Sequence, residues 1–422
     1  MFIRTKILAT LGPACGDHAT LGRLVEAGAD AFRINFSHGD AAQHQGYLDA
    51  LRAVEAERGE PLAAVADLCG PKIRVGRLAG GSVLLADGQE LTIQRRPLEG
   101  GPERISTTLA ELVDEVAPGE PILLDDGRIA LEVAETDGAD EVRCRVVCGG
   151  VLSEGKGVNL PRTALSLQAL TEKDRADVAW LAGRGFDYVA LSFVRSADDV
   201  RLLRRLLAEH DCDAHVIAKI EKPQAVEHIE EIVAAADAIM VARGDLGVEM
   251  ALPAVPVAQK RIAALCQRAG KPCIIATQML ETMTQNELPT RAEVSDVANA
   301  VLDHADAVML SGETAVGEHP ARTVAMMNDI VRETQAYDDE RSDGRVEAVA
   351  DAASPTTAAL AAAARRVLRT DDVAAVAVYT ATGATARLLA KSRLPRPILA
   401  LSHRTDTLRR VAMYYGVVAR HA

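Results

Sequence analysis

The feature that most constrains the fold of this chain is an eightfold recurrence of short apolar segments, each ending in polar or glycine-containing sequence. Continuous apolar strands that alternate with helical patterns are typical of a parallel sheet covered on both faces. Eight such units predict an α/β protein built on a (β/α)8 TIM barrel, whose active site lies where the strands end. The segments are Lys6–Gly12, Ala31–Ser37, Leu62–Leu68, Asp187–Phe193, His215–Glu221, Ala238–Gly244, Pro272–Gln278 and Ala307–Glu313.

One connection interrupts this alternation. Between Lys72 and Asn159 the sequence changes to short alternating strands separated by Asp-Gly turns. We interpret residues 73–158 as a small all-β domain inserted after the third barrel strand, on the active-site side, where it can act as a lid. The TIM-barrel domain would then comprise residues 1–72 and 159–335.

The last part of the chain returns to alternating helices and strands. The polar stretch Asp338–Arg345 is interpreted as a linker, and residues 350–422 as a separate small α/β domain. Within it, Thr380–Thr385 brings hydroxyls and a glycine turn to the start of a helix, an arrangement suited to a phosphate group or simply to a helix cap.

Composition excludes two classes of partner. The 422-residue chain is 48% hydrophobic and 25% charged, with a formal net charge of −13. A nucleic-acid-binding protein would show a basic patch or stripe, so we expect no nucleic-acid partner. No apolar run reaches membrane-spanning length, and no signal peptide precedes the first strand, so we expect a cytoplasmic protein without a membrane partner. The seven cysteines form no Cys-x-x-Cys pair and are interpreted as free thiols.

Polar residues and glycines occupy the ends of most of the predicted strands. Cations, carboxylates and hydroxyls would therefore converge on one barrel mouth, a combination that suits a metal-bound, phosphorylated acid. The residues are Arg33, Asn35, Ser37, His38, Asp67, Lys72, Arg74, Lys219, Glu221, Arg243, Gly244, Asp245, Thr277, Gln278, Ser311, Gly312 and Glu313.

These strand ends carry segments that resemble the pyruvate kinase family. The resemblance covers the barrel from Lys6 to about Arg332 and is weaker in the inserted domain and at the C-terminus. It implies a Mg²⁺-dependent phosphotransferase that moves the phosphoryl group of phosphoenolpyruvate to ADP, giving pyruvate and ATP in the last step of glycolysis. The segments are Arg-Ile-Asn-Phe-Ser-His-Gly (33–39), Lys-Gly-Val-Asn-Leu-Pro (156–161), Leu-Thr-Glu-Lys-Asp (170–174), Ala-Lys-Ile-Glu (218–221), Met-Val-Ala-Arg-Gly-Asp-Leu-Gly (240–247), Ala-Thr-Gln-Met-Leu (276–280) and the run 289–317.

The resemblance assigns a metal site and a transition-state stabiliser. Glu221 and Asp245, two carboxylates on neighbouring strands, would bind Mg²⁺, or Mn²⁺ in its place. Lys219 lies two residues before Glu221, so both side chains point to the same face of the strand. Its ammonium would neutralise the negative charge that develops during transfer. A strand-end cap or a salt bridge is an alternative for either carboxylate alone but a poor one for both.

The resemblance also assigns substrate-binding residues. Arg33 would contact the transferring phosphoryl group, while the backbone amides of Gly244 and Asp245, together with Thr277, would hold the substrate carboxylate. Arg243 belongs to the same substrate-binding group. Ser311 and Glu313 would belong to a network of hydroxyls and water that delivers the proton to the enolate.

A further group would bind the nucleotide. Asn35, His38 and Arg74 would meet ADP, and Lys156 would reach it from the lid. Without the surrounding motif, His38 would be interpreted as an ordinary loop histidine.

The loop after the third strand departs from the commonest family pattern. Most family members carry Asp-Thr-Lys-Gly-Pro-Glu-Ile-Arg-Thr here and need K⁺ as well as Mg²⁺, whereas this chain reads Asp-Leu-Cys-Gly-Pro-Lys-Ile-Arg-Val at 67–75. The ammonium of Lys72 would replace the charge of K⁺, since two cations in one small site repel each other. We therefore predict that K⁺ is not required; neutral drift in a tolerant loop is the alternative. The positions that match monovalent-cation ligands are Asn35, Ser37, Asp67 and Leu68.

Two other functions stay open. A Mg²⁺-dependent lyase or aldolase of the pyruvate-enolate barrel group would share the metal and enolate chemistry but would need neither a lid nor Arg74 and Lys156. A homologue that has lost catalysis and serves as a regulatory protein would carry damage at the motif positions. Those positions are intact: Arg33, Lys219, Glu221, Asp245 and Thr277.

The family also suggests an assembly and a regulatory expectation. We expect a homotetramer or a homodimer. The C-terminal α/β domain is shorter than is usual in the family, so we expect no strong activation by sugar phosphates.

Overall fold

The computed structural model describes residues 2–163, 168–341, 355–370 and 373–422, and the chain opens with three barrel strands. Helix α1 starts at Asp17, whose side chain accepts a bond from the Thr20 amide, and stops at Gly28, whose φ of +114° favours glycine. These elements are β1 (Lys6–Leu11), α1 (His18–Ala27), β2 (Ala31–Asn35), α2 (Ala41–Arg58) and β3 (Ala63–Asp67).

The segment after β3 leaves the barrel and forms two separate sheets, which we call the inserted region. Its strands alternate buried and solvent-facing residues, as in β8, because one face packs on a core of its own. One sheet pairs β10 with β4, and the other has the order β11-β7-β8-β9-β5-β6. The elements are β4 (Ser82–Leu85), β5 (Glu90–Gln94), β6 (Arg104–Ser106), α3 (Leu112–Glu115), β7 (Pro121–Leu124), β8 (Ile129–Thr136), β9 (Glu141–Cys148), β10 (Gly150–Ser153) and β11 (Val158–Asn159).

The chain then returns to the barrel and completes it. Eight parallel strands close in the order β1-β16-β15-β14-β13-β12-β3-β2, which confirms the predicted TIM barrel and all eight predicted strands. The elements are α4 (Glu172–Leu181), β12 (Tyr188–Leu191), α5 (Ala197–Glu209), β13 (His215–Ile220), α6 (Pro223–Glu227), α7 (Ile229–Ala235), β14 (Ala238–Ala242), α8 (Arg243–Glu249), α9 (Val255–Arg268), β15 (Cys273–Ala276), α10 (Arg291–Leu302), β16 (Ala307–Leu310), α11 (Gly312–Ala315) and α12 (Pro320–Arg341).

A three-stranded parallel sheet with its helices follows at the C-terminal end, which confirms that this part of the chain is α/β. Its strand order is β17-β18-β19. The boundaries that we predicted between the three parts of the chain, at 72, 158, 335 and 350, stay a prediction. The elements are α13 (Pro355–Thr370), β17 (Val376–Tyr379), α14 (Ala384–Lys391), β18 (Ile398–Ser402), α15 (Thr405–Val411) and β19 (Val417–His421).

One prediction is wrong in part: the linker expected from Asp338 does not begin there. Helix α12 continues through that position to Arg341. An ion pair between Arg4 and Asp339, with Nη2 and Oδ2 2.7 Å apart, holds this last turn against the start of the chain. The predicted linker residues 342–345 lie outside the described residues.

The barrel has two apolar layers, and the C-terminal part contributes to the inner one. The outer layer packs the strands against the surrounding helices. The inner layer fills the barrel interior and includes Met413 from the C-terminal part. Tyr188 of β12 donates its hydroxyl to the Arg410 carbonyl at 2.8 Å, so the barrel floor is closed by the C-terminal part.

No helix in the described ranges is long and apolar enough to cross a membrane. All seven cysteines are free.

A buried ion pair joins the C-terminal part to the barrel. Lys391 Nζ lies 2.7 Å from Asp306 Oδ2, and both side chains are 1% exposed. Burial lowers the pKa of Lys391, and Asp306 only partly opposes that effect. Arg393 lies 3.4 Å from the other oxygen of Asp306, so the carboxylate is the centre of this junction.

We expect Lys391→Met to lower the stability of the protein by about 3 kcal/mol, because removing one partner leaves a buried carboxylate incompletely paired. Chemical or thermal unfolding monitored by circular dichroism measures the loss. The matched control is Lys260→Met. The Lys260 side chain is 52% exposed, although its partner Asp303 is only 8% exposed, so this solvated lysine should contribute less, about 1 kcal/mol. Equal losses in both variants would contradict the role given to the buried pair.

Candidate active site

The ends of β2, β3 and β13 bring two predicted cations to one carboxylate. Arg33 Nε lies 2.5 Å from Asp67 Oδ2, and Lys219 Nζ lies 3.2 Å from Asp67 Oδ1. Lys219 also contacts Glu221 Oε1 at 2.9 Å. All four side chains are buried, so their charges interact through a medium with little water.

Each charged group in this cluster shifts the titration of its neighbours. Burial opposes the charged form of Lys219, but the carboxylates of Asp67 and Glu221 outweigh it and raise the pKa of the lysine. Burial likewise opposes ionisation of Asp67, yet Lys219 and Arg33 outweigh it and lower the pKa of Asp67. Lys219 is therefore a cation, and Asp67 an anion, at neutral pH.

Glu221 behaves differently because a second carboxylate faces it. Burial raises its pKa and the nearby charge of Asp245 adds to the effect, while Lys219 opposes both. A divalent cation between Glu221 and Asp245 would relieve this repulsion, so the pair fits Mg²⁺. Across the described ranges no group of three or more His, Cys, Asp or Glu could hold a metal ion. Mg²⁺ does not need such a group, because it is usually held by one or two carboxylates plus substrate oxygens and water.

Ser192 belongs to this cluster and was not predicted. Its hydroxyl accepts a bond from Lys219 Nζ at 2.7 Å and donates to the Leu68 carbonyl at 2.8 Å. Leu68 is one of the predicted monovalent-cation positions, so its carbonyl already has a partner in this structure. The signal that could have identified Ser192 is its place at the end of the fourth predicted strand.

Asp245 and Gly244 lie in the first turn of α8, directly after β14, as predicted. The Gly244 amide donates to Thr277 Oγ1 at 2.7 Å. Thr277 has a φ of +70°, which is unusual for a threonine. Such strain is found at functional sites where the surrounding structure enforces it, and here it brings the hydroxyl of Thr277 to the start of α8.

Arg243 does not join the cluster. Its guanidinium lies 2.7 Å from Asp296 and donates to the Thr277 carbonyl at 2.9 Å. Two of its terminal nitrogens, Nη1 and Nη2, are thus engaged behind Thr277, where they support the strained turn. The substrate-binding role that we expected for Arg243 stays a prediction.

Ser311 and Glu313 lie together at the end of β16. Glu313 is fully buried, and its Oε2 accepts a bond from the Ser311 amide at 2.6 Å. Burial raises the pKa of Glu313, and backbone amides oppose that effect only partly. Glu313 therefore retains its proton to higher pH than an exposed glutamate, and it positions Ser311 beside Arg33.

A cavity of about 550 Å³ opens beside this cluster, and Arg33, Asn35, His38 and Ser311 all line it. Burial lowers the pKa of His38, and the positive charges of Arg74, Arg33 and Lys72 lower it further. His38 is thus neutral at pH 7 and surrounded by cations that suit phosphates. The rest of the lining includes Pro13, Gln43 and Tyr47.

Arg74 and Lys156 lie on the inserted region and are not part of that lining. Arg74 Nη1 donates to the Gly155 carbonyl at 2.9 Å, and Lys156 Nζ lies 2.8 Å from Asp125 Oδ1. Arg74 lies close enough to His38 for its positive charge to lower the pKa of that histidine.

Lys72 lines a second, smaller cavity between the inserted region and the barrel. This cavity measures about 130 Å³ and also contains Asp245, Lys222 and Asn159 in its lining. The ammonium of Lys72 has no ion pair with the residues that the structure describes. Asn35 and Asp67 are neighbours across β2 and β3, and Asn35 Oδ1 accepts a bond from the Ser37 amide at 3.1 Å.

Comparisons with known proteins agree with this geometry. Residues 2–324 match the family model described as pyruvate kinase, barrel domain, and residues 358–422 match pyruvate kinase, alpha/beta domain. The chain is 44% identical to pyruvate kinase 2 of Synechocystis sp. over 98% of its own length and 70% of the relative's. It is also 44% identical to the pyruvate kinase of Mycobacterium intracellulare, over 98% and 86%. A crystal structure of a pyruvate kinase from Cryptosporidium parvum superposes with a TM-score of 0.93 at 34% identity, covering all of this chain and 87% of that one. The chain belongs to the pyruvate kinase family.

Proposed function

We propose that this chain transfers the phosphoryl group of phosphoenolpyruvate to ADP at the barrel mouth, with Lys219 and Arg33 as the cations that receive the phosphoryl charge. The observation that supports this most directly is their shared contact with Asp67, at 3.2 and 2.5 Å. Two cations fixed on one buried carboxylate are already oriented before substrate arrives, so little reorganisation remains to be made during the reaction.

The substrate carboxylate would lie at the start of α8. The Gly244 and Asp245 amides in the first helical turn favour an anion, and Thr277 adds a hydroxyl on the same side. In the structure this hydroxyl accepts a bond from the Gly244 amide, so substrate binding would exchange that contact for the carboxylate. Arg243 would act indirectly, by holding the Thr277 turn.

Glu221 and Asp245 would hold the metal. Mg²⁺, when bound, supplies positive charge to the phosphoryl and enolate oxygens. Mn²⁺ could replace it, since oxygen ligands suit both ions. The repulsion between the two carboxylates in the absence of a cation is what ties the metal to this pair.

The enolate must gain a proton to become pyruvate, and Ser311 with Glu313 would provide the route. Glu313 keeps Ser311 in place through the amide bond at 2.6 Å. Because its raised pKa lets it retain a proton, Glu313 can resupply the hydroxyl and water that face the substrate.

ADP would occupy the cavity that Asn35 and His38 line, with Arg74 and Lys156 closing over its phosphates from the inserted region. This arrangement assigns the inserted region a lid function. We also propose cytoplasmic localisation and a homotetrameric or homodimeric assembly.

A coupled assay of pyruvate formation tests the function. Pyruvate should form only when phosphoenolpyruvate, ADP and Mg²⁺ are all present, and a chelator should stop the reaction. Release of pyruvate in the absence of ADP would favour a lyase, and inactivity under all conditions would favour a homologue without catalysis.

We further predict that K⁺ is not required. Replacing K⁺ by tetramethylammonium at constant ionic strength should leave the rate nearly unchanged, because the ammonium of Lys72 supplies a positive charge near Asp245 and His38. In Lys72→Glu the same exchange should lower the rate by about tenfold or more, because the new carboxylate then needs a counter-ion.

Lys72→Met is the control that separates loss of the positive charge from gain of a negative one. When K⁺ is replaced by tetramethylammonium, the loss of rate in Lys72→Met should be larger than in the native protein and smaller than in Lys72→Glu. A native enzyme that is inactive without K⁺ would show that Lys72 does not replace the ion.

A further inference from the structure

Glu249, the last residue of α8, is a buried carboxylate that joins three segments of the chain. It is 3% exposed. Its Oε1 accepts a bond from Asn159 Nδ2 at 2.7 Å and from Lys222 Nζ at 2.5 Å. A carboxylate is costly to bury unless its charge is paired and hydrogen-bonded. Both bonds reach Oε1 and pair the charge, while the buried Oε2 has no hydrogen-bond partner among the described residues. We call the three residues the Glu249 tie.

Each member of the tie lies within four residues, along the chain, of a residue of the proposed active site. Asn159 follows Lys156 by three residues on the inserted region. Lys222 follows Glu221 directly. Glu249 lies four residues after Asp245 on α8, and residues with that spacing are neighbours on one helix face.

Other contacts hold the same three segments together. Asn159 pairs with Leu123 across β11 and β7. The turn after β7 packs on α8, where a Cβ atom added to Gly127 would lie 3.7 Å from Val248. Lys222 lies over the ring of Phe193, with 5.9 Å between its Nζ and the ring centroid. The tie is therefore the polar centre of a larger contact between the inserted region and α8.

Lys222 connects this contact to the metal pair by a second route. The Phe193 amide beneath its ammonium donates to Glu221 Oε2 at 2.7 Å. Phe193 has a φ of +54°, a strained value for an aromatic residue. The position of Lys222 therefore affects both carboxylates of the proposed metal site. It acts on Glu221 through Phe193 and on Asp245 through Glu249.

We propose that Glu249 is a positioning residue that couples the placement of the inserted region to the helix carrying Asp245. The inference rests on the proposed function. With the tie formed, Lys156 is held at a fixed place relative to Asp245, so that the nucleotide-binding and metal-binding ends of the site are presented together. Glu249 acts through Asn159 and Lys222 and needs no contact with either substrate.

Steady-state kinetics of Asn159→Ala tests the coupling. The substitution removes one hydrogen bond to a charged group from a partly exposed position, so the fold should survive. KM for ADP should rise by about tenfold, because Lys156 is no longer held in place, while KM for phosphoenolpyruvate should stay within about twofold.

Glu249→Gln provides a second, isosteric variant. Its amide oxygen can still accept a bond from Asn159, but the charge that pairs with Lys222 is gone. We expect the Mg²⁺ concentration for half-maximal activity to rise by about tenfold, the lower end of the change that follows loss of an outer partner of a metal site. A merely structural role of Glu249 would lower the unfolding temperature. It would not raise KM for ADP in Asn159→Ala and the Mg²⁺ requirement in Glu249→Gln as two separate effects.

The matched control is Asn299→Ala. Asn299 also bridges a lysine and a carboxylate, since it accepts a bond from Lys260 at 2.9 Å and donates to Asp303 at 3.3 Å, but it lies on α10, away from the inserted region. All kinetic constants of this variant should match the native ones.

The double variant Asn159→Ala/Glu249→Ala decides whether the two residues act as one unit. Its KM for ADP should equal that of Glu249→Ala alone, because both changes remove the same link. The coupling would be overturned if the effects of the two substitutions on KM multiplied in the double variant. It would also be overturned by an equal rise in KM for both substrates in Asn159→Ala, or by the same changes in Asn299→Ala. If Glu249→Ala fails to fold, the change in KM for ADP relative to that for phosphoenolpyruvate in Asn159→Ala still tests the coupling. Absence of activity in the native protein would instead overturn the proposed function.

Discussion

Replacement of Lys219 by methionine is expected to lower kcat by about 10²–10³-fold or more while leaving the fold in place. Methionine keeps much of the length and apolar contact of the lysine stem, so the change is confined to the ammonium. That ammonium contacts Asp67, Glu221 and Ser192. In the proposed function it is the group that meets the new negative charge during transfer.

Two measurements separate this effect from damage to the protein. The circular dichroism spectrum and the binding of Mn²⁺, followed by calorimetry, should be close to native, because Glu221 and Asp245 remain. Lys260→Met serves as the matched control and should retain full activity, since Lys260 is exposed and contacts Asn299 and Asp303 at the C-terminal end of α10. Activity within a few-fold of native in Lys219→Met would reject its assignment as transition-state stabiliser.

Asp67 illustrates what the sequence can and cannot assign. The loop pattern identified it only as a position that matches a monovalent-cation ligand. The structure places it between Arg33 and Lys219, where it fixes both cations. Contacts between the ends of β2, β3 and β13 depend on strand order in the closed barrel, and no local pattern reports which polar ends become neighbours.

The barrel itself was predictable because its signal is local and repeated. Each strand is a short apolar run, and some helix stops, such as Gly28 and Gly59, are visible in the residue type. The sequence alone therefore assigns the strand ends to one mouth. What the sequence missed is non-local: Ser192 beneath Lys219, the engagement of Arg243 with Asp296, and Glu249 beneath the inserted region are set by pairs of residues far apart in the chain.

The end of α12 shows a related limit. The run from Asp338 is polar, and polarity without periodicity suggested a linker. The helix nevertheless continues to Arg341 because Asp339 pairs with Arg4 more than 300 residues earlier. A solvated helical turn and a linker have the same composition, and only the distant partner distinguishes them.

Removal of the carboxylate pair should have the other large effect. Glu221→Ala and Asp245→Ala should each raise the Mg²⁺ concentration for half-maximal activity by about 10–100-fold, since even outer partners of a metal site contribute on that scale. With both carboxylates removed, no activity should be measurable at any Mg²⁺ concentration. Calorimetric binding of Mn²⁺ gives a readout that does not depend on turnover and should weaken in the same order.

The control for the Glu221 and Asp245 variants lies at the opposite end of strand β14 from Asp245. Asp237 precedes β14, where it pairs with Arg204 at 2.7 Å, while Asp245 follows β14. Asp237→Asn should leave the Mg²⁺ dependence unchanged even if it lowers stability, because the two ends of a barrel strand serve different purposes. Asp245→Asn should also lower the pKa of Glu221, because one source of its elevation is the neighbouring charge. Native-like Mn²⁺ binding in the double variant, or a native enzyme that a chelator fails to inhibit, would place the metal elsewhere and leave the repulsion between these two carboxylates without a purpose.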